Sequence, residues 1–122
     1  LWKYWKGKVE MITPAGIENR LVTLSKEIDY AHANLIEAEN KYHKSKSDYE
    51  IAIAKARLSF GDNKMRVQDV SDKALLMCEK QFHELSIAEA IVKGARANAG
   101  RIRTQVDIAR SIGTSVRASL EM

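Results

Sequence analysis

Between Ile17 and Ser59, steps of four and three residues land in turn on Ile17, Leu21, Leu24, Ile28, Ala31, Leu35, Ala38, Tyr42, Ser45, Tyr49, Ala52, Ala56 and Ser59. The phase holds over about six heptads, which is the seam of a long helix lying along a partner helix. A run of this length predicts a rod rather than a globule. The seam changes character along its length. Early positions are all bulky, whereas later ones alternate Leu35, Tyr42 and Tyr49 with Ala31, Ala38, Ser45 and Ala52. Small residues let a partner helix approach closely.

The limits of this helix are set by local chemistry. Thr13 suits the N-cap, and Pro14 suits the first helical position, where its missing N–H costs nothing. The predicted helix spans residues 14–60, roughly 70 Å at 1.5 Å per residue. Its weakest tract is His43-Lys44-Ser45-Lys46-Ser47, a candidate bend. Gly61-Asp62-Asn63 is the strong turn signal, with Gly61 fitting a left-handed C-terminal position and Asp62 or Asn63 able to cap the next helix. A turn over 61–63 forces its neighbours to run antiparallel.

A second helix is predicted over 63–120, with a restart at Ser71 or Asp72 as an alternative because Lys64–Val70 is less regular. Its seam is Val67, Ser71, Ala74, Cys78, Gln81, Leu85, Ala88, Val92, Ala95, Ala99, Ile102, Val106, Ala109, Gly113, Val116 and Leu120. The apolar face is wider than this seam. Met77, Ile91 and Ile112 flank one side, with Ile87 and Ile108 beyond them, and Leu75 and Phe82 flank the other. One antiparallel partner covers only a narrow stripe. The fold expected is therefore all-α: a long antiparallel helical hairpin, a coiled coil over 14–122, dimerising into a four-helix bundle. Ile87, Ile91, Gly94, Ile108 and Ile112 are the expected dimer interface, with Gly94 and Gly100 marking a close backbone crossing. The second helix outruns the first, so Ile112–Leu120 should project past Thr13 and need a cover.

Residues 1–13 form a separate basic, aromatic N-terminal arm, in which Trp2, Tyr4 and Trp5 alternate with Lys3, Lys6 and Lys8. It reads either as a plug over that projecting end or as a stacking and phosphate-binding arm. The 122-residue chain is 45% apolar and 30% charged, enough apolar content to offset the entropy of ordering. A lone cysteine, Cys78, excludes an internal disulfide and suits a reducing cytoplasm. No run approaches the roughly 20 apolar residues of a membrane span, and Leu1–Glu10 lacks a signal-peptide core. The net charge of +4 is unevenly spread. Residues 1–10 carry +2, residues 11–60 balance, residues 61–90 carry −2 and residues 91–122 carry +4.

Arg96, Arg103, Arg110 and Arg117 recur every seven residues and form one stripe beside the seam, about 10.5 Å between neighbours. Lys93 and Arg101 add charge elsewhere on the helix. The stripe reads either as an ion-pair flank, with Glu18 and Glu39 across the seam, or as a surface that tracks phosphates or an acidic partner. Its spacing matches no base-reading helix. Asp69, Asp72, Glu79, Glu84 and Glu89 read as a solvated acidic face without calcium-loop spacing. His32, His43 and His83 lack zinc spacing, although His43 and Cys78 could meet across a hairpin. There is no phosphate-binding loop and no nucleophile constellation. The expectation is a non-enzymatic protein without cofactor, metal or small-molecule substrate.

Gln105-Val106-Asp107-Ile108-Ala109-Arg110-Ser111, continued by Val116-Arg117-Ala118-Ser119-Leu120-Glu121, resembles the ending of a group of small, mostly uncharacterised helical bacteriophage early-region proteins. There a Q-L-D-x-x-R-S stretch precedes an L-R-A-E-like close. Tyr49-Glu50 with Ala52, Ala54 and Ala56, before a Gly-containing turn, is similar in layout. Ser119 departs from the group, which more often has alanine followed by an acid. The resemblance implies a phage accessory protein in the host cytoplasm, with Arg110 and Arg117 matching the group's arginines. The leading expectation is a homodimer that assists DNA replication or recombination. It would bind single-stranded DNA or a nucleoprotein partner through the arginine stripe, Lys93, Arg101 and the arm lysines. The alternatives are an inhibitor or adaptor of a host nuclease or defence enzyme, and a virion structural component.

Overall fold

The computed structural model describes residues 13–60 and 66–121. All regular structure among them is helical: α1 is Pro14–Ser59, α2 is Val67–Met77 and α3 is Glu79–Glu121. The start of α1 is built as its chemistry demands. The Thr13 hydroxyl accepts a 3.1 Å hydrogen bond from the Gly16 amide, while the Thr13 carbonyl accepts the Ile17 amide at 2.9 Å. One orphan donor of the first turn is thereby satisfied by the cap side chain, the first regular intrahelical bond closes on the cap carbonyl, and Pro14 leaves no donor at the first position. The helix passes through His43–Ser47 without interruption. The half-buried seam residues Tyr42, Ser45 and Tyr49 run through that tract. At the other end the Phe60 amide reaches the Arg57 carbonyl and the Ser59 hydroxyl donates to the Ala56 carbonyl. Such tightening closes a last helical turn. The turn expected over 61–63 lies outside the described residues.

The second half departs from the single helix expected over 63–120. Arg66 is extended, with φ −63° and ψ 146°, so helix begins at Val67 and not at 63, nor at Ser71 or Asp72. Arginine offers no acceptor, and no side chain caps this end. A further break falls at Cys78, where φ is −104° and ψ 22°. The Cys78 amide is shared between the carbonyls of Ala74 and Leu75 at 3.1 Å each, and the Cys78 carbonyl accepts the Phe82 amide at 2.9 Å. The ladder thus crosses the break, which is a tightening at one buried residue and inserts no loop.

The chain divides into two compact units, one of Leu1–Asn34 with Arg96–Met122 and one of Leu35–Ala95. In the first, Leu24, Ala31, Ala99, Ile102 and Ala109 make the core, with Leu21, Ile28 and Val106 packed against it. Leu24 is completely buried, which is worth about 1.5–3 kcal/mol for a leucine. The Arg20 guanidinium donates to Gln105 Oε1 at 3.1 Å. A Cβ built on Gly113 would lie 3.3 Å from Ile17 Cγ2, so this seam glycine permits a close approach. Numbers that rise along α1 meet numbers that fall along α3, so the two segments run antiparallel. Val116 is half-buried, so the seam is covered almost to its end. The expected overhang from Ile112 shrinks to Leu120, which is exposed.

The second unit follows the same ladder with smaller residues. Ala56, Ala74 and Cys78 form its core, and Tyr49, Ala52 and Ile53 pack against it. The Tyr49 and Phe82 rings meet at 5.9 Å, a tilted contact that covers the small side chains. In both units the seam positions from Ile17 to Ala56 and from Ser71 to Val116 are buried or half-buried. Ser59, Val67 and Leu120 are the exposed exceptions.

Candidate nucleic-acid interface

The arginine stripe lies wholly in the first unit, on the α3 flank next to Ala99, Val106 and Gly113. Heptad repetition puts Arg96, Arg103, Arg110 and Arg117 in one row, and all four are exposed. Arg103 and Arg110 line a groove of about 360 Å³ with Leu21, Ser25, Ile28, Val106 and Asp107. Among the described residues, Arg103, Arg110 and Arg117 have no carboxylate within ion-pair distance. The reason is visible in α1. Its seven-residue row on that flank is Glu18, Ser25 and His32, which supplies a single acid, and Glu18 makes no ion pair there.

On the opposite flank of the same unit the polar side chains bind one another around a groove of about 340 Å³. There Arg20 bonds Gln105 and stands 4.0 Å from Glu27, and Arg101 donates to Asn98 Oδ1 at 3.1 Å. Arg101 is therefore exposed but locally engaged. Lys93, in the second unit, pairs with Glu89 at 3.4 Å along its own helix, an exposed contact of low value. The arm lysines Lys3, Lys6 and Lys8 lie outside the described residues.

Charge separates the units in the same way. Residues 1–34 and 96–122 hold ten Lys and Arg against six Asp and Glu, which accounts for the whole +4, whereas residues 35–95 hold ten against ten. Of the expected acidic patch, Glu79 contacts His83 at 3.4 Å and Asp72 accepts a bond from Gln68 at 3.0 Å. The apolar flank residues are exposed: Ile87 and Ile91 in the second unit, Ile108 and Ile112 in the first. Nothing lies within 4 Å of a Cβ built on Gly94, so its place on that flank is open. A second groove, in the second unit, brings Glu84 of α3 to Lys41, Lys44 and Asp48, which share one face of α1. The one signal for it is the alternation of charge beside the seam at Lys41 and Asp48.

Among the described residues no three His, Cys, Asp or Glu side chains converge as metal ligands, and no helix is long and apolar enough to cross a membrane. No family model matches the sequence, and neither a curated protein nor a solved structure shows significant similarity to it.

Proposed function

We propose that the chain is a non-enzymatic accessory protein, of bacteriophage type, that binds single-stranded DNA or a nucleoprotein partner during replication or recombination. The observation that carries this reading is the row Arg103, Arg110 and Arg117, exposed and without a carboxylate partner among the described residues. Guanidinium groups spaced along one helix edge neutralise successive phosphates, and Arg is weakly hydrated and forks onto phosphate oxygens. The antiparallel contacts inside each unit support a helical hairpin, and the exposed isoleucines support a dimer built on its second arm.

The test is binding of a labelled single strand over a series of salt concentrations. The affinity should fall with salt, and replacing the three arginines by glutamine should flatten the slope by about two, at roughly 0.7 per phosphate contact. Absence of binding at low salt, or an unchanged slope in the triple variant, overturns the proposal.

The adaptor reading has one observation in its favour. Val67, Leu75, Leu76 and Met77 are exposed on the short helix α2, beside the acidic residues Asp69 and Asp72. Capture of a host protein that survives nuclease treatment and is lost in Leu76→Ser would favour it.

A further inference from the structure

The groove of the second unit has its charges sorted by end. Lys41 and Lys44 of α1 stand at one end, beside Ile87 and Ile91 of α3, and Asp48 and Glu84 stand at the other. The direction follows from the antiparallel ladder. Because Tyr49 meets Phe82, Glu84 lies level with Asp48, while Ile87 and Ile91 lie level with Lys44 and Lys41. The floor is made of alanines, the buried Ala38 and Ala88, so the depression has a volume of about 330 Å³. Ile87 and Ile91 remain 61% and 53% exposed on its lip.

The charges are not consumed within the unit. Lys44, Asp48 and Glu84 make no ion pair among the described residues, although they line one groove. Lys41 reaches Glu37 at 3.3 Å, but only along its own exposed helix face.

We propose that this groove takes the same groove of a second copy of the chain. The two-fold axis is perpendicular to the helices and passes near Ser45. The lysines of each copy then face Asp48 of the other, and Ile87, near the level of the axis, packs against Ile87 of the second copy. The proposal rests on the dimeric reading above and names its surface and direction. A two-fold axis along the helices would set like charge against like. The perpendicular axis sets Lys41 and Lys44 of each α1 against Asp48 of the other copy's α1, the pairing a self-complementary interface needs. Rim charges select register and direction, and the apolar centre supplies the drive. The expected face therefore narrows from five positions to the pair Ile87 and Ile91, joined by four charges from two helices.

The experiment is a charge exchange read by sedimentation. Lys41→Glu with Lys44→Glu makes one all-acidic face, and Asp48→Lys with Glu84→Lys makes one all-basic face. Each variant alone should be monomeric at a concentration where the wild-type chain is dimeric, and an equal mixture should restore the dimer. A wild-type chain that stays monomeric overturns the dimeric reading itself. A wild-type dimer whose charge variants still self-associate, or whose mixture stays monomeric, overturns this surface and leaves dimerisation standing. Should the variants lose helicity, zero-length Lys–carboxylate cross-linking of mixed isotope-labelled wild-type chains decides. Links between Lys41 or Lys44 of one copy and Asp48 or Glu84 of the other support the proposal, and only same-copy links defeat it.

Discussion

The two units use the same four-three seam and set different side chains in it and beside it. The first fills the seam with Leu21, Leu24, Ile28, Ile102 and Val106 and leaves charge beside it. The second fills the seam with Ala56, Ala74, Cys78 and Ala88, roofs it with Tyr49 and Phe82, and leaves isoleucines outside. Where the large apolar residues sit in the seam, the flanks are free to carry arginine. Where the seam is small, Ile87 and Ile91 stand exposed on the flank with no arginine row beside them, whereas the first unit carries its arginines alongside the exposed Ile108 and Ile112. Core and binding surface thus draw on one set of bulky side chains, placed differently in each unit.

The contrast is most exposed to a cut in the core of the first unit. Leu24→Ala removes its one large, fully buried side chain and should cost about 2–5 kcal/mol in chemical denaturation. A cost under about 1 kcal/mol would mean that the aliphatic seam is not what holds this unit. The second unit should be sensitive in the other direction. Ala74 is completely buried between Ala56 and Cys78, so Ala74→Leu overpacks it, with an expected loss of about 1–3 kcal/mol. A stabilised variant would show that the small seam is underfilled rather than close-packed.

Glycine to alanine should give a smaller, unit-dependent result. Gly94→Ala meets open space and should stabilise the monomer by about 0.5–1 kcal/mol, measured at low protein concentration. Gly113→Ala brings a methyl group to 3.3 Å from Ile17 and should forfeit that gain. Smallest of all is the effect of the arginine row on stability. Replacing Arg103, Arg110 and Arg117 by glutamine should leave the thermal midpoint within the change expected of about 0.5 kcal/mol while the nucleic-acid slope flattens. A marked loss of stability would turn the row back into an ion-pair flank.

Much of this was legible from spacing. Thr13-Pro14 placed the start of α1 because cap chemistry is local, and the seam from Ile17 to Ala56 was readable because burial repeats with the helix period. The break at Cys78 was not, since no glycine or proline marks it; it arises at a buried residue held between Ala56 and Ala74. The helix start at Val67 is hidden for a related reason, because Arg66 carries no capping side chain to announce it. The arginine row was visible as a row, but its two readings could be separated only by knowing which α1 residues share its flank. Lys41, Lys44 and Asp48 share one face of α1 by spacing, but that Glu84 joins them was hidden, because it comes from a helix far away in the chain.

Helix type, seam and charge inventory therefore belong to the linear pattern, because backbone hydrogen bonding and side-chain periodicity act over a few residues. Which arginines stay unpaired, which isoleucines stay uncovered and where charges collect in a groove belong to the packed molecule. Those properties depend on the register between segments up to about a hundred residues apart, and register is set by how the side chains of both segments interlock.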